Sequence, residues 1–226
     1  YPSLKACFTF VLDDSIPSID QTYAIFKANG IKTCSASIYR NYRSVASLGG
    51  QCVIDVVREM VADGGEVLSH NGGALTSETQ AENSFSYNKI TQRVLQDYGF
   101  NPQTIILAGG EGQDTIDFLQ AEKWSRMYYK MSDKYGLVEP YKHDRVAFAN
   151  FNSLNNFKTS VNDAIANNKW VVYYMHGIDK ETQVATYLND ALAYIAEKVT
   201  SGEAEIKTYS EVYDAYYRLD PHLMGT

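Results

Sequence analysis

Short, continuous apolar runs recur along this chain, each closed by polar residues and each followed by a stretch of helical periodicity. The first, Ala6 to Leu12, is rich in β-branched and aromatic residues, which predicts a buried strand ending at Asp13-Asp14-Ser15. Ser18 stands where a helix N-cap is needed, with Ile19, Tyr23, Ile25 and Phe26 on the buried side and Asn29-Gly30 as the stop. A second strand is expected over 31–38, a helix over 53–62 and a strand over 66–70 that finishes at His70. The pattern repeats with a helix over 85–98, a strand over 104–107, a helix over 115–122 and a strand within 124–130. Residues 135–146 read as a long loop or irregular edge. A helix over 154–167, an apolar strand over 170–175, one long helix over 182–200, a strand at 206–208 and a helix over 209–217 complete the chain.

Strands that alternate with helices pair in parallel through crossover connections, so the expected class is α/β, a doubly wound sheet or a barrel. With 226 residues, 45% of them hydrophobic, the chain can bury one sizeable core. No linker or composition shift marks a second unit, so residues 1–226 read as one domain. Parallel α/β architectures gather their chemistry at the C-terminal ends of the strands, where the loops converge. Asp13, Asp14, His70, the glycine-rich Ala108-Gly109-Gly110-Glu111-Gly112 and His176 all fall at such ends.

Charge narrows the partner. Lys and Arg number 20 against 27 Asp and Glu, a net charge of −7 without any basic run, which argues against a nucleic-acid surface. Eighteen Tyr against nine Phe supply phenol rings that suit sugar faces and hydroxyls, but taken alone the ratio reads first as half-buried packing. Cys7, Cys34 and Cys52 are odd in number and lack C-x-x-C spacing, so neither a zinc knuckle nor a disulfide framework is indicated and at least one thiol is free. Cys7 and Cys34, in apolar strand-like runs, read as small buried hydrophobes. No apolar stretch approaches the length of a membrane span. The start at Tyr1-Pro2-Ser3, without Met, reads as a processed or excised fragment and leaves the compartment open.

Neighbouring residues of an extended strand face opposite ways, so of Asp13 and Asp14 one can ligate a cation while the other takes a proton from water. Singly, Asp-Asp is an ordinary loop with a capping acid, and His70 and His176 are structural histidines. Together, on separate strands of one parallel sheet, they form a constellation.

The residues around them resemble the polysaccharide deacetylases, carbohydrate esterase family 4, over nearly the whole chain. Val11-Leu12-Asp13-Asp14-Ser15 is similar to the family's T-F-D-D-G, and Ile25 to Thr33 to its helix, glycine and second strand. Val57 to His70 resembles the approach to the metal-binding H-[ST]-x-x-H, and Val172-Tyr173-Tyr174-Met175-His176 resembles L-x-x-M-H. The resemblance implies a distorted or incomplete (β/α)7-type barrel and a metal-dependent hydrolase that removes acetyl groups from an N- or O-acetylated carbohydrate. By position it makes Asp13 the base, Asp14 and His70 ligands of a divalent metal, zinc first, and His176 the acid. It also implies an acetylated glycan as partner and favours an extracellular or cell-envelope setting.

Two departures stand out. Ala74 occupies the place of the second histidine of H-[ST]-x-x-H, and Ala108-Gly109-Gly110-Glu111-Gly112 replaces R-x-P-Y-G, whose Arg orients the catalytic Asp. Asn71, Glu78, His143 or waters are candidates for the third ligand; Glu111 could fill the vacated motif, and Trp124 and Arg126 could offer a sugar platform and an orienting cation. The departures keep two alternatives open: a degenerate glycan-binding barrel, and a barrel amidohydrolase acting on another small amide such as a cyclic imide or ureide.

Overall fold

The computed structural model describes residues 5–70, 90–106, 126–128 and 145–216. In chain order it forms β1 (Ala6–Asp13), α1 (Ile19–Ala28), β2 (Cys34–Ser37), α2 (Val53–Ala62), β3 (Glu66–His70), β4 (Thr104–Ile106), β5 (Arg126–Tyr128) and β6 (Arg145–Ala147). Then follow α3 (Leu154–Ala166), β7 (Trp170–Met175), α4 (Thr182–Ala185), α5 (Leu188–Thr200), β8 (Ala204–Ile206) and α6 (Tyr209–Tyr216). Residues 90–97 are also helical.

The eight strands of the described residues are parallel, seven of them in the order β5-β4-β3-β2-β1-β7-β6 and β8 paired with β1 off that path. β1 is the long central strand. One of its edges carries β7 along 7–12; the other is shared in series by β8, paired with Ala6 to Phe8, and β2, paired with Val11 to Asp13. The architecture is a distorted, incomplete α/β barrel, as expected, with β5 and β6 at the two ends of the strand order.

Strand alternation divides the core in two. Phe8, Phe10 and Leu12 of β1 and Tyr173 and Met175 of β7 face the helices and join Phe26, Phe148 and Phe157 in an aromatic-rich layer. Cys7, Val11, Cys34, Ala36, Leu68, Ile106, Ala147, Trp170, Val172 and Tyr174 form the opposite layer, which Tyr209 and Val212 of α6 complete. Trp170 meets Tyr209 edge-on at 5.6 Å. All three cysteines are free, Cys7 and Cys34 buried, and burial pushes the Cys7 thiol up to about 12, in keeping with a packing role.

Several boundaries differ from those read in the sequence. β2 is shorter than 31–38, and the last strand lies at 204–206, where Ala204 and Ile206 register with Ala6 and Phe8. The end of the expected loop over 135–146 is strand β6, whose first residue is a buried arginine; a charged residue at that point hides the strand from a hydropathy reading. The expected helix over 182–200 is two, α4 and α5, because Tyr187 leaves helical geometry while its hydroxyl donates to the carbonyls of Phe148 and Phe151. Ser18 sits at the α1 N-cap position but forms no cap bond; its hydroxyl donates to Asp179 instead. The expected helix over 115–122 and the glycine-rich loop at 108–112 lie outside the described residues. Among the described residues no helix is long and apolar enough to cross a membrane.

Candidate active site

Period-two alternation sets the site's inventory. Counting from the inner-layer residues Val11, Leu68, Ala147 and Tyr174, the next same-face positions are Asp13 on β1, His70 on β3, Arg145 on β6 and His176 just past β7. Asp13, His70 and His176 thus come together at the C-terminal strand ends, with Arg145 reaching toward them from below.

Asp14 would face away if the strand continued. It does not. Asp14 and Ser15 have φ of +69° and +48°, left-handed values that non-glycine residues adopt at a cost of about 1–3 kcal/mol each. Asn41 donates from Nδ2 to the Asp14 carbonyl at 2.7 Å, and the buried Ser15 hydroxyl lies 3.1 Å from those of Ser35 and Ser37. The turn so anchored brings Asp14 Oδ1 to 3.1 Å from His70 Nε2. The sequence argument that adjacent acids must point apart is corrected here: both serve the same side of the sheet because the backbone leaves extended geometry between them.

His70 is buried, and its Nδ1 lies 2.8 Å from the Ile106 carbonyl. A carbonyl can only accept, so Nδ1 carries a proton and Nε2 is the nitrogen that meets Asp14. A neutral ring would set two lone pairs against each other at that distance. Either a second ring proton or a cation between them resolves the conflict, and a carboxylate opposite an imidazole whose far nitrogen is fixed by a carbonyl is a common metal-ligand arrangement. The pair therefore fits a divalent cation as two of its ligands. Among the described residues no group of three or more His, Cys, Asp and Glu is placed to hold a metal. Asn71, Glu78 and His143, the candidates for a third ligand, lie outside the described residues, as do Ala74, Glu111 and Trp124. Burial opposes the charge on Asp14, but the His70 hydrogen bond and the electrostatic pull of His70, His176 and Arg145 hold its carboxyl below the ordinary carboxylate value.

Asp13 is almost fully buried and meets Arg145 Nη1 at 2.8 Å through Oδ1 and 3.0 Å through Oδ2. The guanidinium lies 4.2 Å from the centre of the Tyr174 ring, so ion pair and cation–π contact hold it from two sides. Sequence reading missed Arg145. The 108–112 loop holds no arginine to orient the catalytic Asp, and Arg126 is the orienting cation that the sequence offers in its place. The available signal was an arginine followed by Val146-Ala147, an apolar continuation on an expected loop.

His176 is half-exposed. Its backbone N–H donates to Glu181 Oε1 at 2.8 Å, and its ring Nδ1 lies 3.2 Å from the same oxygen. The Glu181 hydrogen bond raises the His176 pKa above its ordinary value, against burial and with the help of the charges of Asp13, Asp14 and Glu181.

No family model matches the sequence, and no curated protein matches it. Solved structures do. The chain is similar to a probable polysaccharide deacetylase from Pseudomonas aeruginosa PAO1 at 13% identity, over 98% of this chain and 94% of that one, with a TM-score of 0.72. The fold is that of the polysaccharide deacetylases. Puue allantoinase shares it at 15% identity over 98% and 93% of the two chains, with a TM-score of 0.67. A peptidoglycan deacetylase from Bacillus subtilis shares it at 13% identity over 96% and 95%, with a TM-score of 0.58. Within the polysaccharide-deacetylase fold of this chain, the four residues singled out in the sequence lie at one end of the sheet, joined by Arg145 and Glu181.

Proposed function

We propose that this protein is a hydrolase that removes acetyl groups from an N- or O-acetylated carbohydrate, with a divalent metal, zinc the first candidate. The observation that carries the reading is the Asp14–His70 pair, 3.1 Å apart beside the buried, arginine-held Asp13. Structures with the same fold bear the names polysaccharide deacetylase and peptidoglycan deacetylase, which supports that substrate class.

Asp14 and His70 would hold the cation, which when bound supplies polarisation of the acetyl carbonyl and a water of lowered pKa. Asp13 accepts the proton of the attacking water. Its contacts with Arg145 occupy only part of the roughly four lone-pair sites of a carboxylate, so an acceptor position is left for that water. His176, whose pKa the Glu181 hydrogen bond raises, donates a proton from its protonated form to the departing amine or alcohol oxygen.

Acetate release from panels of acetylated chitooligosaccharide, peptidoglycan and xylan, with zinc supplied, tests the reading; no acetate from any of them would overturn it. The shared fold with an allantoinase favours a second reading, hydrolysis of a small non-glycan amide. Turnover of allantoin or related cyclic ureides, with every acetylated glycan inert, would establish it instead.

A further inference from the structure

We propose that Glu181 is the positioning residue of His176: it holds the ring with Nδ1–H toward its own carboxylate, leaving Nε2 to carry the transferable proton. The use made of that proton rests on the deacetylase reading; the pairing of the two residues does not.

The argument begins with the return of the chain. Just past β7, Gly177 has a φ of +151°, and a Cβ there would stand 2.9 Å from both Asp179 Oδ1 and Ser18 Oγ. The backbone N–H groups of Lys180 and Glu181 both donate to the Gly177 carbonyl, at 3.1 and 3.0 Å, and that of Ile178 donates to Thr22 Oγ1 at 3.1 Å. This tight turn carries Glu181 back over the residue it left five positions earlier. Oε1 then accepts the His176 main-chain N–H, which fixes the carboxylate relative to the His176 backbone before the ring is considered. The ring meets the same atom at 3.2 Å.

The second observation is what the carboxylate lacks. The Glu181 side chain is 9% exposed, and its Oε2 is buried without a hydrogen-bond partner among the described residues. A buried carboxylate with one bare oxygen is costly, and a neutral glutamine would make the same main-chain bond at less expense. What only the glutamate supplies is negative charge against the imidazole. Around the ring, Asp13 and Asp14 from the β1 end add to that charge, and Tyr174 packs edge-on at 6.0 Å. A neutral His176 is thereby held as the Nδ1–H tautomer, and its charged form donates from Nε2.

The test is histidine ring 15N–1H correlation spectra of the intact protein between pH 5 and 9, with the His176 signals assigned through His176→Gln. In the wild type the neutral ring is expected as the Nδ1–H tautomer. Glu181→Gln keeps an acceptor but loses the charge, so the His176 titration midpoint falls; Glu181→Ala lowers it and releases the tautomer as well. The alkaline limb of kcat for acetate release moves to lower pH in Glu181→Gln with KM little changed, and Glu181→Asp restores part of the shift. A wild-type Nε2–H tautomer, or an unmoved midpoint in Glu181→Gln, would overturn the proposal. Should the variants fail to fold, the wild-type tautomer alone decides. Expected spectra together with no acetate release from any substrate would uphold the Glu181–His176 pair and remove the deacetylase reading.

Discussion

Asp14 combines a left-handed backbone with a carboxylate that meets an imidazole nitrogen, and both properties are local. Asp14→Ala and His70→Ala are each expected to lower bound zinc and abolish acetate release, since each would remove one of the few protein ligands of the proposed metal. Metal content measured on the purified variants checks this, and unaltered content in both would move the metal elsewhere. Asp13→Asn should lose turnover while keeping most of its metal. Arg145 is a different case: it is buried, and removing it strands the Asp13 charge. Arg145→Met is expected to cost about 3–5 kcal/mol in urea unfolding, the usual penalty for breaking a buried pair from one side. His176 adds a pH dependence. Its folded pKa is raised, so its contribution to stability is complete below its unfolded pKa of about 6.5 and is lost as pH rises through the folded value. Melting temperature should show this fall in the wild type, and Glu181→Gln should flatten it.

At the scale of elements, what matters is how tightly one segment turns into the next. Gly65 joins α2 to β3, and a Cβ there would lie 2.0 Å from the Thr33 carbonyl oxygen and 2.7 Å from that of Met60. Both obstacles are backbone and cannot rotate away. Gly30, after α1, has a φ of +68° but nothing within 4 Å of a Cβ. Gly65→Ala should therefore destabilise by several kcal/mol, whereas Gly30→Ala should cost only the left-handed penalty of about 1–2 kcal/mol. Chemical denaturation of the two variants checks the order. Because β3 ends on His70, Gly65→Ala should also lower metal content, and Gly30→Ala should not.

At the scale of the molecule, the aromatic layer between the sheet and α3 keeps β6 and β7 in register beneath the site. Phe157 lies 5.3 Å from Phe148 and 5.2 Å from Tyr173, ring centre to ring centre, and is fully buried. Phe157→Ala is expected to cost about 3–5 kcal/mol, seen as a lower denaturation midpoint with an unchanged slope. The same variant should weaken activity beyond its effect on folding, because Arg145 on β6 and His176 after β7 both depend on that packing.

Much of this was legible in the sequence, and the reason is periodicity. Burial on both faces writes a parallel strand as a continuous apolar run, so β1, β3 and β7 and the helices α2 and α3 could be located within a residue or so, and Asp13, His70 and His176 fell at strand ends by counting. The sequence by itself thus determined the α/β class, the parallel order of construction and most of the candidate residues. Tertiary structure alone decided how those residues meet. Asp14 turns inward because Asn41, Ser35 and Ser37, from other segments, hold a backbone conformation that no local pattern announces. Arg145 finds Asp13 across 132 positions, and a three-residue strand that starts with a charge looks like a loop until its partner is in place. Glu181 lies only five residues from His176, yet it reads as one more surface acid until Gly177 folds the chain back. Apolar periodicity reports burial, which each segment carries in its own composition; the pairing of buried charges depends on distances that exist only once the sheet has formed.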